Sequence, residues 1–190
     1  MPKPSDQDLL QRIRDGDKRA FRELVERYKN VSFSLACSIV KDEQRAEDVL
    51  QDAFVKVFKH LASFREGARF STWLYRIVVN AAYTAIEKEQ RHRSRQEEPS
   101  AQFMPIEEES IFTKLQQYER KKLIQAVFKK MKEEEALLLR LYYLAELSVK
   151  EIQETTGFSA SKIKVGLHRA RKSMLAHLRR EMGDELKHLI

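Results

Sequence analysis

One segment of this chain leaves little choice of secondary structure. Ala46, Val49, Leu50, Ala53, Phe54, Val57, Phe58 and Leu61 recur at steps of three and four, so they share one side of a helix. A helix with so wide an apolar stripe must bury it against other elements, and its neighbours in sequence are helical too. With Gly 5 and Pro 4 in 190 residues and little β-branched alternation, the chain is expected to be all-α, its helices joined by short connections.

The flanking signals set the other helices of an N-terminal bundle. Ser5-x-x-Asp8 resembles a capping box with Asp in the usual Glu position, followed by Leu9, Leu10 and Ile13 and ended by Gly16. Asp17 is placed to cap a second helix with Phe21, Leu24, Val25 and Tyr28 on its inner side, running to Val40; there Cys37 reads as a small buried residue. Lys41-Asp42 breaks the pattern before the striped third helix. A loop over 63–69 with Gly67 leads to a fourth helix, capped by Ser71 or Thr72, burying Trp73, Leu74, Ile77, Val78, Ala81, Ala85 and Ile86. Four such helices can close a small bundle.

Beyond Arg91, His92, Arg93 and Arg95 the composition changes. No basic residue occurs between Arg95 and Lys114, while Glu97, Glu98 and Glu107 to Glu109 gather around Pro99 and Pro105. Such a stretch reads as a flexible acidic linker interrupted by Phe103, Met104 and Ile106. A second helical block follows. Tyr118, Leu123, Val127 and Phe128 mark one helix; Leu137, Leu138, Leu141 and Tyr142 are spaced to pack inward from another. Ser148 then caps Val149 to Thr156, Gly157 permits a left-handed turn, Phe158 plugs the angle, and Ser159 caps a last helix with Ile163, Leu167 and Ala170 inward. Two small helical domains result: residues 1–93 and 114–182, with a linker over 94–113 and a tail over 183–190.

Charge points to partners. The net charge is +7, and no acid occurs between Glu154 and Glu181, a stretch holding Lys162, Lys164, Arg169, Arg171, Lys172, Arg179 and Arg180. A positively charged second helix after a tight turn suits the major groove of DNA; early residues reach base edges and later basic ones meet phosphates. The outward set is Ser161, Lys162, Lys164, Val165, His168, Arg169 and Lys172. The same residues would also serve as the solvated face of an ordinary bundle. Opposite the core stripe of the third helix lie Asp48, Gln51, Asp52 and Val55, either a solvated face or a dock for a basic helix. Phe64, Arg65, Arg69, Phe70, Trp73, Tyr75, Arg76, Asn80 and Tyr83 mix aromatics, guanidinium groups and an amide. Aromatics stack on unpaired bases and an Asn can read a base edge, while core packing claims Trp73 and Phe70.

Other function classes find no support. The five histidines are too scattered for a zinc spacing, and there is no phosphate loop or nucleophile elbow, so no catalytic residue, metal site or cofactor is expected and no small-molecule substrate. No apolar run approaches the ~20 residues that span a bilayer, and the first residues carry no signal-peptide core. A single cysteine excludes an internal disulfide and fits a reducing cytoplasm.

Four segments together resemble a known family. Ala46-Glu47-Asp48-Val49-Leu50-Gln51-Asp52-Ala53-Phe54 is similar to the AEDxxQExF segment of bacterial sigma factors of the extracytoplasmic-function class. Phe70-Ser71-Thr72-Trp73-Leu74-Tyr75-Arg76-Ile77 with Asn80 resembles their FxTWLYxIxxN segment, Leu147 to Ile152 their LSxxEI, and His168-Arg169-Ala170-Arg171 their HRAR. The order and spacing agree over nearly the whole chain. The resemblance implies a sigma region 2 domain followed by a region 4 helix-turn-helix domain, which give core RNA polymerase its promoter choice. It implies that Asp48, Gln51, Asp52 and Val55 dock the clamp helices of the β′ subunit, with the β flap as a further contact. Phe64, Arg65, Arg69, Arg76, Asn80 and Tyr83 would capture unpaired bases of the −10 element. Ser161, Lys162, Lys164, Val165, His168, Arg169 and Arg171 would read the −35 element as duplex. Promoter DNA and an anti-sigma protein are the remaining implied partners.

The chain departs from the family in places. Ser159-Ala160-Ser161-Lys162 replaces Pro-Val-Gly-Thr, Val165-Gly166 replaces Ser-Arg, Gln153 replaces a small Ala, and Lys132 stands where a proline usually opens a helix. Gly166 costs about 1 kcal/mol in a helix interior. The rival reading is a free-standing helix-turn-helix regulator that acts without polymerase.

Overall fold

The computed structural model describes residues 4–64, 69–93 and 122–182. Among them the regular elements are all helical. The N-terminal domain comprises α1 (Asp6–Arg14), α2 (Lys18–Val40), α3 (Glu43–His60) with a 3-10 turn over Leu61–Ser63, and α4 (Phe70–Arg93). The C-terminal domain comprises α5 (residues 122–130), α6 (Glu133–Leu139), a π-helical turn (Arg140–Leu144), α7 (Val149–Thr156) and α8 (Ala160–Met182). The acidic linker, Arg65, Gly67 and the tail lie outside the described residues.

Local chemistry starts and stops each helix. Ser5 and Asp8 form a complete capping box on α1, with Asp8 N–H donating to Ser5 Oγ at 3.1 Å and Ser5 N–H to Asp8 Oδ2 at 2.9 Å. Asp therefore closes the box as Glu would. Asp17 accepts from the Arg19 and Ala20 amides at the start of α2. Lys41 ends α2 in the left-handed region at φ 57, and Asp42 caps α3 one residue later, so two residues turn the chain between two long helices. α4 begins at Phe70, ahead of the expected caps, and Ser71 and Thr72 are buried in its first turn. Lys132 stands at the N-cap of α6 with no side-chain hydrogen bond to it.

The α3 stripe packs on α2 and α4 through Ala46, Val49, Ala53, Phe54 and Val57, all buried. Phe58 departs from expectation: it is 55% exposed and meets Phe21 edge-on at 5.0 Å. The stripe is wider than α2 and α4 can cover, and Phe58 lies at its rim.

On α4 the sequence reading captured only one of two buried faces. Besides Leu74, Val78 and Ala81, a second line of Thr72, Tyr75, Val79 and Ala82 is 4% exposed or less. These four follow helical steps of three and four, and α7 packs against α4. The pairs Val78-Val79 and Ala81-Ala82 were the signal, since a helix with one covered face needs only one member of each.

In the C-terminal domain Tyr142 is 37% exposed rather than inward. The Ala145 N–H reaches back to the Arg140 carbonyl, five residues earlier, at 2.9 Å. That wider turn takes an extra residue and rotates the following positions out of their predicted phase.

Candidate nucleic-acid and polymerase interface

The α3 face holds together as expected from sequence. Asp48, Gln51, Asp52 and Val55 are all exposed, with Val55 at 47%. Beside Gln51 and Val55 runs an apolar groove of ≈ 660 Å³ between α2 and α3, floored by Phe21, Val25, Leu50, Phe54 and Phe58. Exposed apolar surface next to an acidic and amide stripe suits a protein partner better than solvent.

The α4 set divides. Arg76 and Asn80 are exposed. Asn80 lines a groove of ≈ 350 Å³ with Lys56, His60, Trp73 and Ile77, which sets an amide beside an aromatic ring and two basic side chains. Sequence reasoning did not include Lys56 and His60, because they belong to α3 and only the tertiary fold brings them to Asn80. Phe64 behaves differently: it is 7% exposed and packs on Phe70 at 5.6 Å and Trp73 at 5.2 Å, so its ring has no open face in this conformation. Arg69 pairs with Glu151 of α7 at 3.2 Å. Tyr83 is half-buried toward Glu133 of α6; burial first, then that carboxylate, pushes its hydroxyl up to about 12.

α7, its turn and α8 form the helix-turn-helix. Ser148 and Glu151 make a full capping box, and Gly157 sits at φ 74 with no atom near where a Cβ would point. Burial works to raise the Glu151 carboxyl. Hydrogen bonds from the Ser148 hydroxyl and amide and from Thr72, with the Arg69 charge, outweigh it and hold the group below the usual range. Ile163, Leu167 and Ala170 are buried, as their spacing required, and Ser161, Lys162, Lys164, Val165, His168, Arg169 and Arg171 are exposed. Two of these cations are held on their own domain. Lys162 lies 3.6 Å over the Phe158 ring and pairs with Glu134 at 2.9 Å. Arg171 donates to Tyr143 Oη at 2.8 Å and lies over Tyr142 and Tyr143. No ion pair among the described residues ties down Lys164, Arg169 or Lys172.

Gly166 has a structural reason. A Cβ there would stand 2.5 Å from Cδ1 of fully buried Leu138. The glycine lets α8 cross α6 at close range.

Among the described residues no group of His, Cys, Asp and Glu could hold a metal ion, and no helix is long and apolar enough to cross a membrane.

Comparison with known proteins agrees with this layout. The sigma-70 region 2 family model matches residues 24–92 and the sigma-70 region 4 model residues 121–174. The chain is 47% identical to the RNA polymerase sigma-H factor of Pseudomonas aeruginosa over 77 residues, 40% of each protein. It is 27% identical to the ECF RNA polymerase sigma factor SigW of Bacillus subtilis over 177 residues, 90% of this chain and 95% of that one. The fold is similar to sigma factor RpoE in its co-crystal structure with the anti-sigma factor NepR from Bartonella quintana, at TM-score 0.64 and 22% identity over 84% of this chain and 96% of that one. It is also similar to CnrH in complex with the cytosolic domain of CnrY, at TM-score 0.60 and 22% identity over 92% and 97%.

Proposed function

We propose, from the premise that this chain belongs to the sigma-70 family as an extracytoplasmic-function sigma factor, that it binds core RNA polymerase and directs it to start transcription at a particular class of promoters, as part of a stress or envelope response. The carrying observation is a pair of separate exposed faces of opposite character. The α3 stripe of Asp48, Gln51, Asp52 and Val55 offers acid and amide to the β′ clamp helices, while α8 offers DNA a surface free of acid from Ala160 to Arg180.

On this reading Asn80, Arg76 and the groove beside them take unpaired −10 bases, with Trp73 at its edge for stacking. Arg69 and Tyr83 join them once freed from Glu151 and Glu133. Lys164, Arg169 and His168 meet the −35 duplex, and Ser161, Val165, Lys162 and Arg171 complete that surface. The β flap supplies a further polymerase contact. The protein makes no bond of its own and acts in the cytoplasm, where the polymerase is. An anti-sigma partner is proposed because the neighbour RpoE was solved in complex with the anti-sigma factor NepR. A free-standing regulator would leave the exposed α3 stripe and its apolar groove without a task.

Run-off transcription on a fragmented genomic library, with purified core polymerase and this protein, tests the reading. Discrete new start sites are expected, and Asp52→Arg should abolish both them and co-purification with core enzyme. Polymerase that gains no selectivity from the protein would refute it.

A further inference from the structure

The function proposed above gives α1 no task, yet α1 reaches the aromatic group beside the Asn80 groove. Arg14, in the last turn of α1, donates from Nη2 to the carbonyl oxygen of Phe64 at 3.2 Å, across 50 residues of sequence. Phe64 ends the 3-10 turn that follows α3. Its own N–H donates to the Leu61 carbonyl at 3.1 Å, and Ser63 Oγ donates to the His60 carbonyl at 2.7 Å. His60, Ser63 and Trp73 line the groove with Asn80, and the Phe64 ring packs on Trp73. Arg14 thus grips the backbone of the residue whose ring supports one wall of that groove. Arg12, in the same turn of α1, pairs locally with Asp17 at 2.7 Å; Arg14 turns to another element instead.

α1 itself is firmly placed. Leu9 and Leu10 are buried, and Asp6 accepts from Arg27 at 2.7 Å and from the Tyr28 hydroxyl. The Asp15, Gly16 and Asp17 amides close the end of the helix on the carbonyls of Gln11, Ile13 and Arg12. Tyr28 also meets Phe70 edge-on at 5.5 Å, and Phe70 packs on Phe64 at 5.6 Å and on Trp73 at 5.8 Å. Two lines therefore run from α1 into one aromatic group. The first passes through Arg14 to a backbone carbonyl, and the second through Asp6 and Tyr28 to Phe70.

We infer, resting on the function proposed above, that Arg14 is a positioning residue for −10 base capture and acts through Phe64. Arg14 is exposed, and replacing an exposed side chain usually leaves the stability of a fold nearly unchanged. A binding site is less forgiving. Its walls must be held to about 0.5 Å, and a displacement of about 1 Å can cost on the order of a hundredfold. A bond that matters little to the fold therefore matters much to a groove that must grip one unpaired base. The chemistry suits the role. A guanidinium is always charged, and its bond to a neutral carbonyl is charge-assisted, so the grip is strong and independent of pH. A cation in the last turn of α1 also complements the helix dipole, but that effect stays within α1 and gives no reason for a −10 base to feel it.

The test compares full-length wild type, Arg14→Ala and Arg14→Lys with core polymerase on the strongest promoter from the run-off library. Arg14→Ala should co-purify with core enzyme as wild type does, and its urea midpoint should shift by less than about 0.5 M. Opening of the −10 segment, read by permanganate reactivity of unpaired thymines, should fall at least about tenfold. Arg14→Lys keeps a charged donor for a single carbonyl and should recover opening to within about threefold of wild type. Base readout then separates positioning from a weakened fold. Each nucleotide of the non-template −10 strand is made abasic in turn. Where the captured base is removed, wild type should lose at least about tenfold in opening. Arg14→Ala should lose less than about threefold at that position, because the base was already poorly held. If Arg14→Ala loses its signal at 222 nm, Arg14→Met, of similar length and without a donor, takes its place with the same expectations. Opening by Arg14→Ala at the wild-type level, Arg14→Lys no better than Arg14→Ala, or abasic penalties equal in wild type and variant would overturn the inference and leave the proposed function standing. Wild type that starts no transcription selectively sinks that function and this inference together, a result read before any variant is compared.

Discussion

Replacing Gly166 with alanine should destabilise the protein although alanine is the better helix former. In an open helix Gly→Ala gains about 1 kcal/mol. Here the new methyl would lie 2.5 Å from Leu138 Cδ1, while carbons rest at about 3.5–4.0 Å. One of them must move by about 1 Å. Leu138 is fully buried between α6 and α8, so that movement is overpacking, which costs about 1–3 kcal/mol. The net loss should be about 1 kcal/mol. The sharper expectation is a change of sign. Leu138→Ala alone should cost about 2–5 kcal/mol, but it removes the clash, so Gly166→Ala added to it should restore about 1 kcal/mol as helix propensity takes over. Urea titrations of the four proteins, followed at 222 nm, give the cycle directly. Trp73, the only tryptophan, lies in the N-terminal domain and its fluorescence separates that domain's transition from the other's. If Gly166→Ala stabilises both backgrounds equally, the close crossing is wrong.

Three further outcomes follow from local geometry. Glu146 holds φ 54, a left-handed backbone at a non-glycine residue; Glu146→Gly should stabilise the C-terminal domain by about 0.5–1 kcal/mol in the same urea assay, as relief of that strain outweighs the entropy glycine adds to the unfolded chain. Ser148→Ala removes the hydroxyl that caps α7 and should cost about 1 kcal/mol, seen in the 222 nm transition before that of Trp73. The Glu151 carboxyl is held below its ordinary value, so its contribution is fully present above its unfolded pKa of about 4.5 and is lost as pH falls through the lower folded value; in acid titrations monitored by helix content, Glu151→Gln should show a smaller change below about pH 4.5 than wild type.

Most of the architecture was legible because its determinants are local. Helix caps at Ser5, Asp17 and Ser148, the left-handed turn at Gly157, and the inward trio Ile163, Leu167 and Ala170 follow from the backbone's need for capped amides and a covered stripe. The readings that shifted have a common cause: each depends on what a second element does. Phe58 is exposed because α2 and α4 leave the rim of the α3 stripe uncovered. Tyr142 turns out because a π-helical turn changes the phase. Cys37, expected as core, lies half-buried at the seam between domains. The departure at Gly166 had the look of a weakened recognition helix until Leu138 supplied its partner.

The charges tell the same story at the level of function. Counting acid-free positions on α8 makes every lysine and arginine there equally available to DNA, but they are not. Lys162 must leave Glu134 and the Phe158 ring, and Arg171 must leave the two tyrosines, before either reaches a phosphate. An exposed ion pair is worth only about 0–1 kcal/mol, so DNA can displace these contacts, but each exchange returns a charge to Glu134 or bares an aromatic face. Lys164, Arg169 and Lys172 carry no such debt. The electrostatic grip of α8 should therefore centre on these three. Lys162 and Arg171 then depend on how closely the groove edge fits, and those two positions, rather than the most basic stretch, are where duplex sequence and shape would be felt.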